Sequence, residues 1–118
     1  MGNVYALLAG VGFYENPRVT PLPACLKDVD MMRNALNIGI EVPFENIKLC
    51  GQDGKVYLSQ FARSMKEFAG MMQKDDTFIL YFSGHGKEGH LIFTDQFLSI
   101  QILIRFVAKT ACKNIVLT

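Results

Sequence analysis

Asp76-Thr77-Phe78-Ile79-Leu80-Tyr81-Phe82-Ser83-Gly84-His85-Gly86 is the stretch on which the fold turns. Thr77 to Phe82 is an apolar run of strand length, the pattern of a strand covered on both faces of a parallel sheet. Lys74-Asp75-Asp76 is the polar turn that leads into it; neither aspartate is read as a metal ligand. The run stops at Ser83, and a histidine then stands between two glycines. In an open α/β sheet, ligands gather outside the carboxyl ends of the strands, so a histidine there can face a substrate instead of the core. Glycine on either side lets backbone approach closely, and an imidazole exchanges protons near neutral pH. His85 is therefore the candidate general base or acid.

Outward from this strand, the chain alternates strand and helix. Val4 to Ala9 is a second apolar run, closed by Gly10 and Gly12. A loop through Pro17, Pro21 and Pro23 follows. Val29, Met32, Ala35 and Leu36 then recur at helical spacing, predicting a helix over 28–36 that Asn37 and Gly39 end. Ile47-Lys48-Leu49 reads as a short strand. Leu58, Phe61, Met65, Phe68 and Met72 form a stripe that predicts a core-facing helix over 58–72, with its methionines as packing. Downstream of His85, Gly86 to Gly89 reads as a polar turn and His90 to Phe93 as a short strand, with His90 a solvated strand-end residue. Ser99 is an N-cap for a helix through Ile102, Leu103, Phe106 and Val107. Asn114 to Leu117 begins another strand, which would leave one flank of the sheet unpaired. The 118 residues, half of them hydrophobic, fit a single α/β domain over 1–118 with a mainly parallel sheet.

Composition narrows the partners. A net charge of +1, from 12 Lys and Arg against 11 Asp and Glu, offers no basic stripe, so nucleic-acid binding has no support. No apolar run reaches the roughly 18 residues of a membrane span, and the N-terminus lacks the pattern of a signal peptide. Cys25, Cys50 and Cys112 are odd in number and widely spaced, without zinc or redox-dithiol spacing. A reducing cytosol is the expected compartment. Gly10-Val11-Gly12 lacks the third glycine of a dinucleotide turn, no phosphate-cradling loop supports a flavodoxin-like ligand binder, and no cofactor is evident.

Tyr5-Ala6-Leu7-Leu8-Ala9-Gly10, then Leu22-Pro23-Ala24-Cys25-Leu26-Lys27-Asp28-Val29, then the strand ending in Ser83-Gly84-His85-Gly86, together resemble the caspase-like cysteine peptidases, particularly the metacaspase and paracaspase side of that clan. The resemblance spans nearly the whole chain. It implies a three-layer αβα sandwich and a Cys-His endopeptidase acting on peptides or proteins. In that family the strand resembling Asn114-Ile115-Val116-Leu117-Thr118 leads into an Asp-x-Cys segment that carries the nucleophile. The expectation is therefore that these residues are the large, His-bearing portion, incomplete at the C-terminus, and that a small-subunit portion supplies the cysteine.

None of the three cysteines fits that role. Cys112 precedes the last strand and should lie about 15 to 20 Å from His85, at about 3.3 Å per strand residue. Cys50 follows a strand that the family topology separates from the His strand, and reads as a buried, inert thiol.

Further roles come from the resemblance alone. His85 would polarise the thiol and protonate the leaving amine, and Gly86 would donate its backbone N–H to the oxyanion. Asp28, Ser83 and Cys25 would line the pocket for the residue before the cleaved bond. A carboxylate in that pocket favours Arg or Lys; caspases that cut after Asp carry an arginine shortly before this segment, where this chain has Thr20, Pro21, Leu22 and Pro23. An alternative for Asp28 is a helix N-terminal acid facing the macrodipole. Calcium switches on many metacaspases, with ligands largely beyond the matched region. The alternative for the whole chain is an inactive caspase-like scaffold that binds through an exposed sheet edge.

Overall fold

The computed structural model describes residues 2–112 and 114–117. Seven strands and three helices follow one another: β1 (Val4–Gly10), α1 (Ala24–Ile40), β2 (Ile47–Cys50), α2 (Leu58–Met71), β3 (Thr77–Ser83), β4 (Gly86–Lys87), β5 (His90–Ile92), β6 (Phe97–Ser99), α3 (Ile100–Ala108) and β7 (Asn114–Leu117). The main sheet has the order β2-β1-β3-β7, and all three of its pairings are parallel. Register aligns Ala9 with Phe82 and Gly10 with Ser83, so β1 and β3 end together.

The apolar runs are continuous because both faces of the sheet are covered. Leu7, Ala9, Phe78 and Leu80 point to one side, where they meet Phe61, Met65, Phe68 and Met72 of the α2 segment and Leu103 and Val107 of α3. Ala6, Leu8 and Ile79 point to the other side, against Val29 and Leu36 of α1 and against Val42. This is the expected three-layer αβα sandwich with a mainly parallel sheet. The methionines of the α2 stripe are core, as their spacing predicts.

Helix α1 departs from its predicted span at both ends. It starts at Ala24, four residues early, with Pro23 at the N-cap in a helical conformation. Proline is compatible with a helix start, because its missing N–H falls where no intrahelical acceptor exists. At the other end Asn37 and Gly39 do not stop the helix. It continues to Ile40, and Glu41 in the left-handed region (φ 57°) ends it by returning its N–H to the Leu36 carbonyl.

Gly86 to Gly89 is also more structured than a polar turn. Gly86–Lys87 pairs with His90–Leu91, and Glu88 and Gly89 both have positive φ, 50° and 77°. Such a two-residue turn matches the twist of a hairpin. Strand β6, absent from the sequence reading, pairs with β5 and completes a small antiparallel sheet. Its sequence, Phe97-Leu98-Ser99, is too short for a periodic signal. Ser99 does cap α3, accepting the Ile102 N–H.

Asp76 has a structural task. It is buried, and its two carboxylate oxygens accept the N–H groups of Asn3 (2.8 Å) and Gln73 (2.7 Å). Among the described residues no helix is long and apolar enough to cross a membrane.

Candidate active site

The carboxyl ends of β1 and β3 form the floor of the candidate site. At Gly10, the last residue of β1, a Cβ would stand 2.5 Å from Val29 Cγ2 and 2.8 Å from the Cys25 carbonyl oxygen. Only glycine allows α1 to cross the strand end so closely. That crossing delivers Asp28 to β3. Ser83 Oγ donates to Asp28 Oδ2 at 2.7 Å, a contact between residues 55 positions apart. Asp28 lies in the second turn of α1, with no acid in the first turn, so the macrodipole explanation for it falls. Cys25, one turn earlier, is buried.

His85 follows two residues after Ser83 and is half-buried. Its Nε2 lies 2.8 Å from the Thr20 carbonyl oxygen. A carbonyl can only accept, so Nε2 carries the proton and Nδ1 is left as the acceptor nitrogen of the neutral ring. The backbone N–H of His85 donates to the Tyr14 hydroxyl at 3.0 Å, and the two rings lie 5.4 Å apart at 49°. Burial pushes the Tyr14 phenol above its ordinary pKa, against the opposing pull of the His85 N–H. It therefore stays protonated at neutral pH and donates to the Val11 carbonyl at 2.8 Å.

Gly86 opens the hairpin. The Ile92 N–H donates to the His85 carbonyl at 3.0 Å, which makes His85 and Ile92 a hydrogen-bonded facing pair. Facing pairs alternate in an antiparallel ladder. The next pair, Gly86 and Leu91, is thus the one that exchanges no ladder bond, and the Gly86 N–H points away from the hairpin. A groove of about 430 Å³ runs beside these residues, walled by Arg18, Thr20, His85, Gly86, Lys87 and Phe97.

Of the residues that the sequence reading named for the site, the structure joins Asp28 to Ser83 and sets His85 and Gly86 on the turn that follows, with Cys25 one helical turn before Asp28. It also brings Tyr14 and Thr20, which that reading did not name as site residues, to His85. Thr20 acts through its carbonyl, which every residue type has, so no side-chain signal could announce it. Tyr14 carries a usable signal only once its loop is known to fold back over β3.

Cys25 of α1 borders this cluster, whereas Cys50 and Cys112 lie away from it. Cys50 ends β2, which β1 separates from β3; burial raises its pKa, opposed by Ser64, whose hydroxyl lies 3.7 Å from the sulfur. Cys112 Sγ donates to the Asp76 carbonyl at 3.1 Å, at the amino end of β3 and so at the far end of the sheet from His85. All three thiols are free and buried. In the native protein they should react with a small thiol reagent at least about 100-fold more slowly than after denaturation, as groups exposed only on opening do. A cysteine that reacts at the same rate in both states would contradict its burial.

Among the described residues no group of three or more His, Cys, Asp or Glu is arranged to hold a metal ion. These residues do not fit a calcium site, and calcium has no part in the chemistry proposed for them.

Comparison with curated proteins finds no match. Comparison with protein families matches the caspase domain, peptidase family C14, over residues 3–117. That span includes the parallel sheet, the Ser83–Asp28 contact and the His85 turn, and the chain belongs to the caspase-domain family of peptidases.

Proposed function

We propose that this chain is the histidine-bearing part of a cysteine endopeptidase of the metacaspase and paracaspase kind, which cleaves peptides or proteins after Arg or Lys in a reducing cytosol. The observation that carries the reading is the Nε2 bond of His85 to the Thr20 carbonyl, because it leaves Nδ1 free to take a proton from a thiol. Cys50 and Cys112 lie away from the cluster, and Cys25 borders it with no hydrogen bond to His85 among the described residues, so we assign the nucleophile to polypeptide outside these 118 residues, in a small-subunit portion.

The chemistry then balances in two halves. His85 takes the thiol proton, and the thiolate attacks the scissile carbonyl carbon. The Gly86 N–H stabilises the oxyanion, a contribution of about 2.7 to 4 kcal/mol for one such donor. His85 returns the proton to the leaving amine as the C–N bond breaks. Water, deprotonated by His85, then cleaves the thioester and restores the thiol. Asp28, held by Ser83 and bordered by Cys25, supplies the negative charge that selects a guanidinium or ammonium group before the cleaved bond.

The test is an assay of the complete gene product on peptides that differ only in the residue before the cleaved bond. Cleavage of Arg and Lys peptides, abolished by thiol alkylation, is expected, with Asp peptides spared and residues 1–118 inactive alone. A complete protein that cleaves none of them would overturn the enzyme reading in favour of an inactive scaffold.

A further inference from the structure

His85 is held at two points by one loop. The Leu22 N–H donates to the Gly12 carbonyl at 2.7 Å, which brings the two ends of this loop together, as in compact Ω-loops. Near its start, the Tyr14 hydroxyl accepts the backbone N–H of His85, and near its end the Thr20 carbonyl accepts the ring Nε2–H. Backbone and ring of the same histidine are thus referred to one rigid body.

A buried threonine from a distant turn secures that body. Thr94 is 4% exposed. Its Oγ1 donates to the Phe13 carbonyl at 2.9 Å and accepts the Val56 N–H at 2.8 Å. Its carbonyl accepts the Glu15 N–H at 2.8 Å, and its own N–H donates to the Val56 carbonyl at 2.9 Å. Thr94 therefore grips the chain on both sides of Tyr14 and ties it to the 54–56 segment. Gly84 leaves room for the phenol: a Cβ there would stand 3.1 Å from the Tyr14 hydroxyl oxygen, closer than most side-chain carbons come to a neighbour.

We infer that Tyr14 is a positioning residue for His85, holding the turn that carries the ring where its Nε2–H meets the Thr20 carbonyl and Nδ1 stays toward the reacting thiol, and that Thr94 fixes Tyr14 in place. The consequence for turnover rests on the peptidase reading; the consequence for the histidine does not. The phenol oxygen is the active part, since a phenylalanine would keep the ring contact but leave the His85 N–H and the Val11 carbonyl without their partner. Loss of the hydroxyl frees the turn that carries the ring, and a small misplacement of a catalytic group costs on the order of 10- to 100-fold in rate.

The experiment compares Tyr14→Phe, Thr94→Val and Thr94→Ser in the complete protein by steady-state kinetics on Arg peptides and by the ring ¹⁵N shifts of His85. Tyr14→Phe and Thr94→Val should lower kcat about 10- to 100-fold with KM within about twofold, the pattern of a lost transition-state contribution. Their ¹⁵N spectra should show mixed tautomers, whereas wild type holds Nε2–H. Thr94→Ser, which keeps the hydroxyl, should recover kcat to within about threefold and the wild-type spectrum. A Tyr14→Phe protein with wild-type kcat and spectrum overturns the inference, whatever Thr94→Val does to folding. If the wild-type complete protein cleaves no peptide, the peptidase reading fails and the spectra alone decide: an unchanged His85 tautomer in Tyr14→Phe overturns the inference, and a mixed one sustains it.

Discussion

His85→Ala in the complete protein is expected to lower kcat on Arg and Lys peptides by about 10³-fold or more while the fold survives. General acid–base catalysis alone contributes about 10²- to 10⁴-fold, and a thiol nucleophile also depends on the same base for its activation. Stability should change little. The ring is half-buried, and its one side-chain hydrogen bond among the described residues, to the Thr20 carbonyl, is of a kind worth about 1 kcal/mol. The backbone N–H bond to Tyr14 and the carbonyl bond from Ile92 persist in the variant. Turnover and thermal unfolding measured together check the prediction. Residual kcat within tenfold of wild type, in a protein with a normal melting transition, would remove His85 from the chemistry.

The second large effect is expected at Asp28, where charge and hydrogen bonding can be separated. Asp28→Asn keeps an oxygen that can accept from Ser83 Oγ, whose present bond to Asp28 Oδ2 is 2.7 Å, but removes the negative charge. Loss of one partner of a desolvated, hydrogen-bonded charge pair costs about 2 to 5 kcal/mol. We therefore expect kcat/KM on Arg and Lys peptides to fall about 10²- to 10³-fold, with peptides carrying a neutral residue at that position much less affected. Stability should move by less than about 1 kcal/mol, because Ser83 is not orphaned. Asp28→Ala should give the same loss of selectivity with a somewhat larger loss of stability. Equal losses on charged and neutral peptides would show that Asp28 only braces α1 against β3.

The parallel sheet was legible because a strand covered on both faces must be apolar at nearly every position, as Val4 to Ala9 and Phe78 to Phe82 are. The stripe from Leu58 to Met72 was legible for the same reason at helical period. Boundaries were less so. Pro21 and Pro23 read as loop, although proline is tolerated at the first turn of a helix, and α1 begins immediately after Pro23. Strands β4 and β6 escaped notice because two or three residues carry no period, and their pairing depends on the turn at Glu88 and Gly89.

By itself the sequence determined the alternation of strand and helix, the burial of the sheet on both faces and the strand end that carries the histidine, since burial patterns and glycine positions are local properties of the chain. It also separated Cys112 from His85, because opposite ends of parallel neighbours follow from chain direction alone. Tertiary structure decided the rest of the site. The Ser83–Asp28 contact joins residues 55 positions apart through the crossing of α1 at Gly10. The form of the His85 imidazole depends on the carbonyl of Thr20, an acceptor common to all residues, and the Tyr14 contact depends on how Thr94 folds the loop back. Backbone acceptors carry no residue signature, and a long-range hydrogen bond leaves no spacing to read, so these elements exist only once the chain has closed on itself.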